Sequence, residues 1–73
     1  MEATLKFNLP EDQNEFELAA HAGDWYMTVA ELDDELRNKL KYGHEFKSAN
    51  KALEWTRETL LEILKDRNLT LDR

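Results

Sequence analysis

The sequence predicts a mostly α-helical α+β domain, in which an N-terminal strand and a short helix precede an antiparallel hairpin of two longer helices. Three patterns support this fold class: a period-two alternation near the N terminus and two long apolar stripes at helical spacing. With 73 residues, the chain is the size of one domain. A domain this small buries only about 60% of its unfolded surface, so we expect a thin core.

The predicted strand covers Ala3–Leu9, where apolar and polar residues alternate. A single strand is not stable alone and needs a partner. The tail Leu69–Leu71 alternates once more, and it either forms a very short strand against Ala3–Leu9 or frays.

A short helix should follow Pro10, because proline suits the first helical turn. Glu11 and Asp12 come next and favour the positive end of the helix dipole. We expect the segment 21–23 to stop this helix, with Gly23 as a left-handed cap.

The second helix is predicted from about Trp25 to Tyr42, with Asp24 as its N-cap and Gly43 at its end. Residues spaced by three and four form its apolar stripe: Trp25, Val29, Leu32, Leu36 and Leu40.

The last helix is predicted to begin after the N-cap Ser48 and to end at the C-cap Asn68. Its apolar stripe comprises Ala49, Ala52, Leu53, Thr56, Leu60, Ile63 and Leu64. Because about five residues join the two long helices, we expect them to pack antiparallel.

The formal net charge is −6, but the charge is divided unevenly along the chain. Residues 1–36 carry ten acids and one base, whereas residues 37–73 carry nine bases and six acids. Nucleic-acid-binding proteins need basic surface to neutralise phosphates, so direct binding to free nucleic acid is not favoured.

The groups that most enzymes need are missing from the sequence. It has no cysteine and only two glycines, which leaves no thiol nucleophile and no glycine-rich phosphate loop. Neither His21 nor His44 has metal-ligand spacing, and Ser48 is explained by its capping position. We therefore expect a cytoplasmic protein that is not an enzyme, with no metal, no cofactor, no signal peptide and no membrane segment.

Acidic and aromatic residues are the candidates for partner binding. The acidic candidates are Glu11, Asp12, Glu15, Asp33, Asp34 and Glu35. They either keep a small domain soluble or form a surface that competes for the basic groove of a nucleic-acid-binding enzyme. Tyr26 and Trp55 are candidate hydrophobic anchors. Trp55 lies off the stripe of the last helix, so it either packs under the N-terminal segment or is exposed.

Basic residues lie among aromatic ones near the end of the second helix. This cluster comprises Arg37, Lys39, Lys41, Lys47 and Lys51, around Tyr42 and Phe46. It either complements the negative end of the helix dipole or binds nucleic acid.

The stretches 7–13, 15–19, 30–33 and 36–42 resemble a group of short, largely uncharacterised bacteriophage-encoded proteins. The resemblance extends to the amphipathic ending from Ala52 to Leu71 and includes no catalytic signature. It implies a phage setting inside a bacterial cytoplasm.

The leading hypothesis is a phage accessory protein that binds and modulates a host protein. The alternatives are a homo-oligomeric assembly protein, with the N-terminal strand pairing across a two-fold axis, and a small nucleic-acid-binding module that uses the basic cluster at 37–51.

Overall fold

The computed structural model describes residues 1–71 and folds them into three helices. Helix α1 spans Gln13–Ala20, α2 spans Ala22–Tyr42 and α3 spans Ala49–Asp66. The prediction of a mostly helical chain with a helical hairpin is therefore confirmed. The predicted N-terminal strand is wrong, and the possible short strand at Leu69–Leu71 does not form either, since residues 1–71 include no strand.

The N-terminal segment does not become a strand because no other segment offers it an edge to pair with. It is fixed near its end instead. Phe7 packs edge-on against Phe16 of α1, with 5.7 Å between the ring centroids. The Asn8 backbone N–H donates to the Asp12 side chain at 2.9 Å, and the Asp12 N–H donates back to the Asn8 carbonyl at 2.8 Å. This reciprocal pair closes the turn that leads into α1.

The junction between α1 and α2 is tighter than predicted. Gly23 does not cap α1; it lies in the first turn of α2, and only His21 separates the two helices. The His21 N–H donates to the Glu17 carbonyl, and its own carbonyl accepts from the Trp25 N–H, so one residue ends one helix and begins the next. Asp24 is consequently not an N-cap, and its carboxylate is left for other partners.

The ends that face the interhelical loop agree with the sequence prediction. Gly43 follows α2 with a positive φ of 91°. Ser48 caps α3, and its hydroxyl oxygen accepts from the Lys51 N–H at 3.2 Å.

Helix α3 ends in a Schellman motif, which replaces the predicted C-terminal strand. Asn68 adopts the left-handed conformation (φ 56°) directly after the cap residue Arg67. The Leu69 N–H donates to the Leu64 carbonyl at 2.9 Å, and the Asn68 N–H donates to the Lys65 carbonyl at 3.1 Å. Leu64 and Leu69 are both buried, which supplies the hydrophobic contact typical of this motif.

Helices α2 and α3 pack antiparallel. Arg67, just beyond α3, reaches Asp24 and Glu31 in the first half of α2. Lys39, near the end of α2, lies over the ring of Trp55 in the first half of α3. The side chains that line the contact on α3 recur every three or four residues: Ala52, Trp55, Thr56, Thr59, Leu60 and Ile63.

The contact line on α2 is rotated relative to its predicted apolar stripe. Thr28 is the most buried side chain of the contact, with 2% of its surface exposed, and its hydroxyl is satisfied by donating to the Asp24 carbonyl at 2.8 Å. Two members of the predicted stripe instead face solvent, with Val29 69% and Leu40 83% exposed. The hairpin therefore uses only part of the apolar surface that the sequence provides.

The guanidinium of Arg67 links the C-terminal end of α3 to the first half of α2. It is hydrogen-bonded to Glu31 and contacts Asp24 at 3.4 Å, and these two carboxylates raise the pKa of Arg67. The Arg67 Nε, although buried, has no hydrogen-bond partner within the described part of the chain. The two terminal nitrogens of the guanidinium, Nη1 and Nη2, therefore make its contacts with α2.

The resulting molecule is elongated, with extents of 50 × 32 × 18 Å and a radius of gyration of 16.6 Å. A compact chain of this length would have a radius of gyration of about 11 Å. The buried side chains are few and lie towards one end of the hairpin: Thr28, Ile63, Leu64 and Leu69. None of the three described helices is long and apolar enough to cross a membrane.

Candidate partner-binding groove

A shallow groove of about 490 Å³ runs along one side of the hairpin, between α2 and α3. Its rim carries five carboxylates, and Trp55, Thr59 and Ile63 lie between them. The carboxylates come from both helices: Glu31, Asp34 and Glu35 from α2, and Glu62 and Asp66 from α3. We call this site the acidic groove.

Helical spacing explains why these acids converge. Glu31 and Glu35 are four residues apart on α2, and so are Glu62 and Asp66 on α3, which puts each pair on one helical face. Antiparallel packing then sets the two faces beside each other. Each like-charge pair at this spacing destabilises its helix by about 0.2–0.5 kcal/mol, so the groove concentrates negative charge at some cost to the fold.

Most of this charge is not neutralised. Arg67 offsets Glu31, as described above. Within residues 1–71, no basic side chain lies within 4.0 Å of the carboxylates of Asp34, Glu35, Glu62 or Asp66. These four side chains can therefore interact with a cation from outside the chain.

Trp55 closes one end of the groove and belongs to a small aromatic cluster. Its ring lies 5.6 Å from that of Phe46, which in turn lies 4.9 Å from the ring of His44. The Lys39 ammonium lies 5.3 Å from the centre of the Trp55 ring and 5.9 Å from that of Phe46. Trp55 is half-buried, so neither position predicted for it, under the N-terminal segment or fully exposed, describes it. Its indole packs against the interhelical loop.

The acidic residues singled out in the sequence divide between several surfaces. Asp34 and Glu35 line the acidic groove. Asp33 is exposed but lies outside the groove, because it is rotated by about 100° from Asp34 on the helix. Glu11 and Glu15 are exposed on the turn before α1 and on α1 itself, also outside the groove.

Asp12 has a local partner. It is half-buried and its carboxylate accepts the hydrogen bond from Asn8 described above, which gives it a structural role in the turn.

Three acids of the groove were not recognised in the sequence, namely Glu31, Glu62 and Asp66. The available signal was the i,i+4 pairing of acids on both long helices, Glu31 with Glu35 and Glu62 with Asp66. The signal becomes informative only when the two helices are aligned antiparallel, which brings both pairs to the same side.

The predicted basic cluster is dispersed in the structure. Lys39 is half-buried over the aromatic cluster, and Lys51 pairs with Glu54 at 3.6 Å. Arg37 and Lys41 line a separate hollow on α2, together with Asp34 and Tyr42. Lys39 and Lys41 thus contact aromatic rings and Lys51 contacts an acid, whereas Arg37 and Lys47 have no such partner among the described residues.

Tyr26, the second candidate anchor, is 73% exposed on α2. It lies one turn before Val29, on the side of the hairpin that faces away from the acidic groove. The structure therefore separates the two aromatic candidates, with Trp55 in the acidic groove and Tyr26 near the exposed apolar residues.

No group of three or more histidine, aspartate or glutamate side chains within residues 1–71 is arranged to hold a metal ion. No protein-family model, curated protein or solved structure compared with this chain gives a match.

Proposed function

We propose that this protein acts by binding another protein, and that the acidic groove receives a basic segment of that partner. The observation that carries the proposal is a set of four carboxylates on two facing helices, beside the half-buried Trp55. Within residues 1–71, none of the four has a basic side chain within 4.0 Å. A lysine or arginine side chain in the groove would relieve the repulsion between the paired acids. The half-buried indole adds apolar surface, a feature that anchors many protein interfaces.

The resemblance to phage-encoded proteins provides the setting of the proposal: a bacterial cytoplasm in which the partner is a host protein whose activity is modulated or inhibited. A sharper version is nucleic-acid mimicry, in which the groove carboxylates occupy phosphate positions on a nucleic-acid-binding enzyme. Complementary charge of this kind directs association and is weakened by salt.

The test is an affinity pull-down from bacterial lysate with three tagged baits, at low and high salt, analysed by mass spectrometry. The first bait is the wild-type chain. The groove bait carries Asp34→Asn, Glu35→Gln, Glu62→Gln and Asp66→Asn. The matched control bait carries Glu2→Gln, Glu11→Gln, Glu15→Gln and Glu45→Gln. Both variants lose four negative charges from the net −6, so they differ in the location of the charge and not in its amount.

We expect the wild-type and control baits to enrich the same basic protein at low salt, and the groove bait to lose it. Equal enrichment by all three baits, or a partner retained unchanged at high salt, would contradict the proposal. If the partner binds nucleic acid, added duplex DNA should displace the wild-type chain. If duplex DNA does not displace the wild-type chain, nucleic-acid mimicry is excluded, but the proposal of protein binding is not.

A further inference from the structure

The side of the hairpin opposite the acidic groove carries apolar residues that the contact between α2 and α3 covers only in part. Residues seven apart share a helical face, which groups Val29 with Leu36 on α2 and Leu53 with Leu60 on α3. Leu40 continues the row on α2. Val29 and Leu40 are largely exposed, as noted above, and Leu53 is 67% exposed. Leu36 and Leu60 lie closer to the contact between the helices and are half-buried. We call these five residues the leucine face.

Helical geometry puts both halves of the leucine face on the same side of the molecule. On each helix, the apolar residues are displaced from the contact line in the same rotational sense. When two helices pack antiparallel, residues rotated from the contact in the same sense on each helix lie on the same side of the pair. The acids of the groove are displaced in the opposite sense on both helices, and they do line one groove together. The leucine face is therefore continuous across α2 and α3.

The chain as a whole exposes more surface than a compact monomer of its mass, and the leucine face is part of that surface. The chain exposes 6706 Å², whereas a monomeric protein of 8.6 kDa exposes about 4,700 Å². The excess is about 2,000 Å². Standard stable interfaces bury about 800 Å² on each partner, and obligate homodimers bury more. The missing burial is thus of the size that a homodimer supplies.

The charges beside the leucine face suit a second copy of the same chain. Asp33 flanks the face on the outer edge of α2, and Arg57 flanks it on the outer edge of α3. In a two-fold dimer, α2 of each copy can pack against α3 of the second copy. Asp33 of each copy then lies on the same edge of the interface as Arg57 of the second copy. A face with opposite charges on its two edges is complementary to itself.

We infer that two copies of this chain stack their leucine faces and form a four-helix bundle, with both acidic grooves on the outside. Two amphipathic hairpins related by a two-fold axis are a stable way to bury such faces. This dimer does not depend on the proposed function, because the acidic groove remains open in it.

The test is the molar mass of the full chain in solution, measured by sedimentation equilibrium over a wide concentration range. We expect about twice 8.6 kDa. Leu40→Lys and Leu53→Glu, tested separately, should each raise the dissociation constant at least tenfold. Lysine and glutamate favour helix about as well as leucine, so far-UV circular dichroism should remain unchanged. The matched control is Leu5→Glu, an exposed leucine of the N-terminal segment, which should leave the dimer intact.

Three results would overturn the inference. A monomeric mass at every concentration excludes the dimer. A dimer that survives Leu40→Lys and Leu53→Glu but is lost in Leu5→Glu assigns the interface to the N-terminal segment. A monomer that binds phosphatidylcholine vesicles through Leu40 assigns the leucine face to a lipid surface. The groove bait described above, which lacks four carboxylates of the acidic groove, should remain dimeric. Failure of this inference is therefore distinguishable from failure of the proposed function.

Discussion

Replacing Leu64 with alanine tests how much of the stability depends on the few buried side chains. Leu64 is 3% exposed and lies in the last turn of α3, where the Leu69 N–H donates to its carbonyl. The substitution removes three carbons, each contributing about 0.8 kcal/mol when buried. Leu69 lies beyond the end of α3 and can settle into the space, so the cavity contribution should be small. We therefore expect a loss of about 2.5 kcal/mol, towards the low end of the usual range for buried leucine.

That loss is large beside the total stability of about 4–11 kcal/mol expected for a chain of this length. The assay is urea unfolding followed by far-UV circular dichroism. All variants should be compared at one protein concentration, because dimerisation makes the unfolding midpoint concentration-dependent. The matched control is Leu18→Ala, since Leu18 is 58% exposed on α1 and should change the free energy of unfolding by less than about 0.5 kcal/mol. Equal losses in the two variants would show that Leu64 and Leu69 do not form the core described above.

Two further substitutions test the C-terminal end of α3. Because Asn68 is left-handed, Asn68→Gly should maintain or slightly raise the free energy of unfolding, whereas Asn68→Ala should lower it by about 1 kcal/mol in the same urea assay. An alanine variant as stable as the glycine variant would rule out the Schellman ending. Arg67→Met should lower the thermal midpoint more than Arg37→Met, because Arg67 pairs with carboxylates of α2, whereas Arg37 forms no ion pair within the described residues. The difference should shrink as salt is added, and a difference that does not respond to salt would show that packing of the side chain, and not its charge, is responsible.

The sequence was sufficient for features that depend on neighbouring residues. The long helices, the end of α2 at Gly43 and the N-cap Ser48 follow from local periodicity and capping chemistry, and the structure agrees. The end of α3 was predicted to within one residue: Asn68 was expected to be the C-cap, but Arg67 is the cap and Asn68 adopts the left-handed conformation directly after it. The α1–α2 junction was misjudged because a glycine near a helix end was taken as a stop, although the helical hydrogen bonds pass almost without interruption through His21.

Tertiary structure decided the features that depend on how distant segments meet. Alternation at Ala3–Leu9 favours a strand only if another strand is available, and none is found in residues 1–71. The line along which α2 contacts α3 runs through Thr28 and is rotated away from the apolar stripe, so Val29 and Leu40 remain outside the contact. The same rotation brings Glu31 and Glu35 opposite Glu62 and Asp66. A single helix fixes which residues share a face, but only its packing against a second helix fixes which face is buried and which is left for a partner.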